Sequence, residues 1–194
     1  WSPSMDTFAV HEWYHLLNAG YRVAAVGGTD KMSASMPVGG VRTYAHIGGD
    51  EFSFAAWGRA VRAGKTVTTS GPILSFSVDG RVPGDEIQIA GGGATVHVEV
   101  SAVSTSPIHT LDVVFNGRVI ASESVPAGAL SLSLSEDIHL QGSGWLATRC
   151  GSENVAWHVW PVNMNAHTSP VYVVEGGSEL FQESAGEHLI TVMQ

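Results

Sequence analysis

At 194 residues, 44% of them hydrophobic and 14% charged, the chain has enough apolar material for one ordinary domain, or one domain and part of another, without staples. A formal net charge of -9, with nine Lys and Arg spread along the sequence, offers no basic stripe for a phosphate backbone and no polybasic anchor, which argues against nucleic acid and membrane surfaces as partners. The single cysteine, Cys150, excludes an intrachain disulfide and a zinc site built from several thiolates, and it leaves the compartment open: soluble, with secreted or periplasmic locations allowed.

The first predicted element is a helix from Asp6 to Asn18, with Asp6 as the cap and Gly20 as the stop. Val10, Trp13, Tyr14 and Leu17 share one face at 3.6-residue spacing. The same helix carries His11-Glu12-Trp13-Tyr14-His15, which spells H-E-x-x-H. On a helix, two histidines four apart can hold zinc while the glutamate between them acts as base toward a metal-bound water. His11, Glu12 and His15 fall opposite the apolar face and are expected to meet solvent, so the competing reading is an ordinary polar helix face. Extensions that would supply a third ligand fail: the x-x-G-x-x-H continuation meets Asn18 and Tyr21, and Gly28-Thr29-Asp30 is one residue short of a Gly-Thr-x-Asp segment.

Tyr21 to Val26 is an unbroken apolar run that predicts a strand covered on both faces, ending in Gly27-Gly28-Thr29-Asp30. An acidic residue where a buried strand emerges is where α/β folds place ligands, and glycines there let a ligand approach the backbone. The simpler alternative is a turn with a capping aspartate. A short strand from Val41 to Ile47 and a helix from about Ser53 to Ala63, burying Phe54, Trp57 and Val61, complete an α/β segment.

The texture changes near Ser70-Gly71-Pro72, which reads as a turn at a junction between residues 1–72 and 73–194. Beyond it, Asp79-Gly80 and Asn116-Gly117 are hairpin dipeptides. Val96, Val98 and Val100 alternate with polar residues, as do Leu130, Leu132 and Leu134, and Gly91-Gly92-Gly93 reads as a turn rather than a phosphate loop. Short strands separated by Gly-rich turns predict an antiparallel β-sandwich. Its Trp145, Trp157 and Trp160 are expected in the core rather than as a sugar-stacking platform, and His167 as a structural histidine.

WYHLLNAGYRVAAVGGTD, RAGKTVTTSGPILSFSVDG, SGWLATRC and AHTSPVYVV, in this order between Trp13 and Val174, resemble the C-terminal part of bacterial PHP-like metallohydrolases related to carbaryl and methylcarbamate hydrolases. The resemblance implies that residues 1–72 are the last strands and helices of a distorted (β/α)7 barrel, with 73–194 an accessory sandwich. It implies divalent metal (Zn, Mn or Fe), with Asp30 as a ligand, and hydrolysis of a small-molecule ester, amide, carbamate or phosphoester. Family sequences carry a histidine two residues after this aspartate, where this chain has Met32. The earlier ligands of such a site are absent, so the chain alone is expected to be catalytically incompetent and to associate with a second copy through its α/β segment. Two other readings stand beside this one: a non-catalytic sandwich that binds a glycan or protein, and an HExxH zinc protease.

Overall fold

The computed structural model describes residues 5–35, 38–156 and 162–194, with side chains from 9 to 35, 38 to 152 and 164 onward. Helix α1 spans Met5–Asn18. It ends as Gly20 predicts: Gly20 takes a φ of 89°, its N–H reaches the Leu17 carbonyl, and the Tyr21 N–H reaches Leu16. Both bonds satisfy carbonyls that a helix end leaves unpaired. Strand β1 (Arg42–Ala45) and helix α2 (Phe54–Arg62) follow, and the Ser53 hydroxyl caps α2 by accepting from the Ala56 N–H.

The remaining strands are β2 (Thr66–Thr69), β3 (Ile73–Val78), β4 (Glu86–Ile89), β5 (Ala94–Phe115), β6 (Arg118–Leu140), β7 (Gly144–Ala156), β8 (Val162–Thr168) and β9 (Val171–Glu175), and helix α3 is Glu183–Val192. Among the described residues the chain is predominantly β, and its strands join in one open, mixed sheet whose main path runs β1-β2-β8-β7-β5-β3. The β2–β8 ladder pairs Val67 with Thr168 and Thr69 with Ala166, and so crosses the Ser70–Pro72 turn. No helix among the described residues is long and apolar enough to cross a membrane.

Both hairpin dipeptides form tight turns. Asp79 and Gly80 have φ of 48° and 74° with Val78 and Arg81 bonded across them, and Asn116 and Gly117 have φ of 50° and 86° between the long strands β5 and β6. Register shifts between Val103 and Ile108 let β5 bend. Its first half therefore pairs with β3 and its second with β7, which brings inward residues of both halves, Val98 and Leu111 among them, into one core with Leu146, Val171 and Val173.

The structure corrects four expectations. Tyr21 to Val26 is not a strand: Tyr21 and Val26 are exposed, and the segment lies across the sheet without a backbone ladder. Side chains meet its polar groups instead, as Ser169 Oγ accepts from the Ala25 N–H, Thr66 Oγ1 donates to the Ala25 carbonyl, and Thr43 Oγ1 serves both backbone groups of Gly27. Helix α2 buries Ala56 and Ala60 rather than Phe54, which is 85% exposed, while Trp57 and Val61 are half-buried. The β region is not wholly antiparallel: β4 and β9 pair in parallel, which their long chain separation permits. Leu132 and Leu134 point inward as expected, but Leu130 is exposed because it sits where the β5–β6 register slips.

Leu111 is fully buried at the bend of β5. Leu111→Ala is expected to lower unfolding stability by about 2–5 kcal/mol, read as a fall in the urea midpoint at unchanged slope.

Candidate metal centre and the neighbouring cleft

Helix α1 docks through Tyr14 and Leu17 onto Val114, Trp145 and Ala147, with Val10 and Trp13 at the margin, so its apolar face is the predicted one. The opposite face is only partly left to solvent: His11 is exposed, while Glu12 and His15 are half-buried. Helix α3, from the far end of the chain, brings His188 against it.

His11 Nε2 lies 3.2 Å from His15 Nε2, the His15 and His188 rings stack with centroids 3.8 Å apart, and the His11 and His188 centroids are 5.8 Å apart. One ligand atom from each of the three falls within 4.8 Å of the others. Both Glu12 carboxylate oxygens are 3.0 Å from His188 Nε2. Partial burial and the neighbouring imidazoles of His188 and His11 hold His15 below its ordinary pKa. His15 Nδ1 is buried without a hydrogen-bond partner, an arrangement that costs about 1–3 kcal/mol. The HExxH spacing identifies two of these histidines. The third was missed because it is 173 positions away, and only a helix–helix contact unites it with them.

Asp30 lies elsewhere. It is exposed, with φ of 49°, in the left-handed region that aspartate tolerates better than most residues. Among the described residues it belongs to no cluster of three ligating side chains. Its segment is held tightly: Thr29 Oγ1 donates to the Val41 carbonyl and accepts from the Gly39 N–H. Gly27 packs so close to β2 that a Cβ would lie 2.3 Å from Thr68 Oγ1. Gly27 and Gly28 wall a cleft of about 270 Å³ together with Val10, Ser70, Asn165 and His167. Ser70 is buried and pins β2 to β8, its Oγ accepting from the Asn165 N–H. Both polar atoms of the Asn165 side-chain amide are buried without partners.

His167, in the cleft wall, ends a buried polar relay. Arg149 donates to Asp112 Oδ2 at 3.0 Å and sits beside the Tyr14 hydroxyl; Tyr14 Oη is 2.6 Å from His167 Nε2; and His167 Nδ1 donates to the Thr168 carbonyl at 2.7 Å. With Nδ1 carrying the proton, Nε2 accepts from Tyr14. Burial first, and the Arg149 charge as well, push His167 down to about 4, while burial raises Tyr14 to about 12. The expected structural role of His167 holds. Trp145 is fully buried and donates through Nε1 to Asn18 Oδ1, as expected of a core residue, whereas Trp157 and Trp160 lie outside the described residues.

A histidine depressed in the folded state contributes stability that is complete above its unfolded value near 6.5 and is lost as pH falls toward 4, because the unfolded chain binds the proton more readily in that window. The loss is expected to be of order 3 kcal/mol, measured as a falling urea midpoint between these pH values and flattened in His167→Gln. At neutral pH, Tyr14→Phe is expected to cost about 1–3 kcal/mol by leaving His167 Nε2 without its donor.

No protein-family model matches the chain, and no curated protein matches it. Among solved structures, a lytic polysaccharide monooxygenase of Jonesia denitrificans, determined by neutron crystallography, is similar with a TM-score of 0.31 and 17% identity. The match covers 49% of this chain and 61% of that one, so the chain spans less than two thirds of that protein's length. Likeness at this level bears on neither fold nor chemistry.

Proposed function

We propose that this chain is the C-terminal part of a PHP-like metal-dependent hydrolase, with Asp30 as one metal ligand whose co-ligands belong to other segments. One observation carries the reading: the segment that leads to Asp30 joins no strand ladder among the described residues, and it exposes the apolar side chains of Tyr21 and Val26. That pattern suits a barrel edge that further strands and helices would cover. It also supports self-association of this chain through the same face.

Asp30 alone does not fit a catalytic metal, which needs three or more protein ligands and an open position for water. Bound in a complete site, a divalent metal supplies an activated water for attack on an ester, amide, carbamate or phosphoester. This chain's own contribution is the cleft beside Gly28. Its walls include Ser70, Asn165 and His167, the last held neutral by burial, as the lining of a small-substrate pocket.

The zinc-protease reading gains a third histidine in His188. However, both Glu12 oxygens face His188 Nε2, which ties up the base, and none of the described clefts is lined by the three histidines. For the glycan-binding reading, buried Trp145 is no stacking platform.

The purified chain, assayed with Mn, Zn and Fe on aryl ester, phosphoester and carbamate substrates, is expected to show no turnover. Co-expressed with the H-x-H half of a PHP-type barrel, it is expected to form a complex with turnover that Asp30→Asn lowers by at least roughly tenfold, the loss that even outer-shell partners of a metal can cause. Turnover indifferent to Asp30→Asn would refute the reading.

A further inference from the structure

We infer that His11, His15 and His188 form a transition-metal site, independent of Asp30 and of the hydrolase reading, that clamps helix α3 onto helix α1. Three imidazoles from two helices converge with ligand atoms within 4.8 Å of one another, and the 3.2 Å between His11 Nε2 and His15 Nε2 already matches the edge of a tetrahedron. Bonds of about 2.0–2.1 Å place tetrahedral nitrogens about 3.3 Å apart. Bringing the remaining nitrogens to that spacing needs rotation about the terminal side-chain torsions, which are soft in histidine.

The surroundings favour a cation. Glu12 receives the His188 Nε2 proton, which leaves Nδ1 as the lone-pair nitrogen of that ring. A carboxylate behind a ligating histidine fixes the tautomer and makes the imidazole a better donor. Three neutral nitrogens select borderline metals such as Zn, Co or Ni over Mg or Ca, which prefer oxygen. Glu12 engaged behind a ligand is withdrawn from the role of base, which assigns the metal a clamping role in which binding couples α1 to α3.

The test is titration of the metal-free, full 194-residue chain with ZnCl2 by calorimetry, with CoCl2 titrated in parallel by visible absorption. One saturable site is expected, with intense tetrahedral cobalt bands and a rise in melting temperature that MgCl2 does not produce. His188→Ala, and separately the milder His188→Gln, are expected to weaken zinc at least roughly tenfold and to abolish the melting shift, while His46→Ala at an exposed site leaves both unchanged. Circular dichroism of each variant without metal checks that the fold persists. Absence of a saturable site, or zinc affinity equal in wild type and both folded His188 variants, overturns the inference. Zinc-dependent casein cleavage that Glu12→Gln removes overturns the clamping role.

Discussion

The 2.6 Å hydrogen bond between Tyr14 and His167 is the contact on which the arrangement of the first thirty residues depends. It joins the apolar face of α1 to β8 at a point where both side chains are buried or nearly so. Behind it stand Arg149 and Asp112, paired across β7 and β5, and in front of it the Thr168 carbonyl. A partly buried arginine is best paired, a buried histidine near it is held neutral, and a neutral histidine with one proton committed to a carbonyl can only accept at its other nitrogen. The tyrosine hydroxyl answers that requirement, and the helix comes with it.

From that anchor the position of both candidate sites follows. Docking of α1 by Tyr14 and Leu17 turns His11, Glu12 and His15 toward α3, and it sends the chain after Gly20 across the sheet toward Gly27. Trp13 Nε1 donates to the Val23 carbonyl, and Ser169 and Thr66 hold Ala25, so the segment is fastened by side chains where a strand would use a ladder. The result is a segment whose backbone is held by side chains while Tyr21, Val23 and Val26 stay exposed, a combination that fits a surface built to be covered.

Much of the fold was legible locally. The α1 stop at Gly20 and the two hairpin dipeptides need only short-range chemistry, and each forms as read. Alternation correctly placed Val96, Val98 and Val100 inside. Periodicity misled where a partner was needed. Tyr21 to Val26 has the composition of a strand covered on both faces, yet a strand exists only if a neighbour offers its edge. Phe54 and Val61 lie on a periodic stripe of α2, yet the residues it buries are Ala56 and Ala60, with Val61 half-buried and Phe54 exposed. For Asp30, the chain beside a glycine pair suggested a ligand position, and the structure surrounds it with no co-ligand among the described residues.

The amino-acid sequence by itself determined the helix carrying HExxH, the turns, most inward-facing residues of the long strands, and a net charge of -9. These depend on neighbours within a few residues, where geometry is set by the backbone. Only the tertiary structure decided that β4 pairs in parallel with β9, that Glu12 turns to a histidine rather than to water, and that the third imidazole of the cluster is His188. Each of these joins segments far apart in the chain, and the distance between such segments is a property of the packed core, which local patterns do not encode.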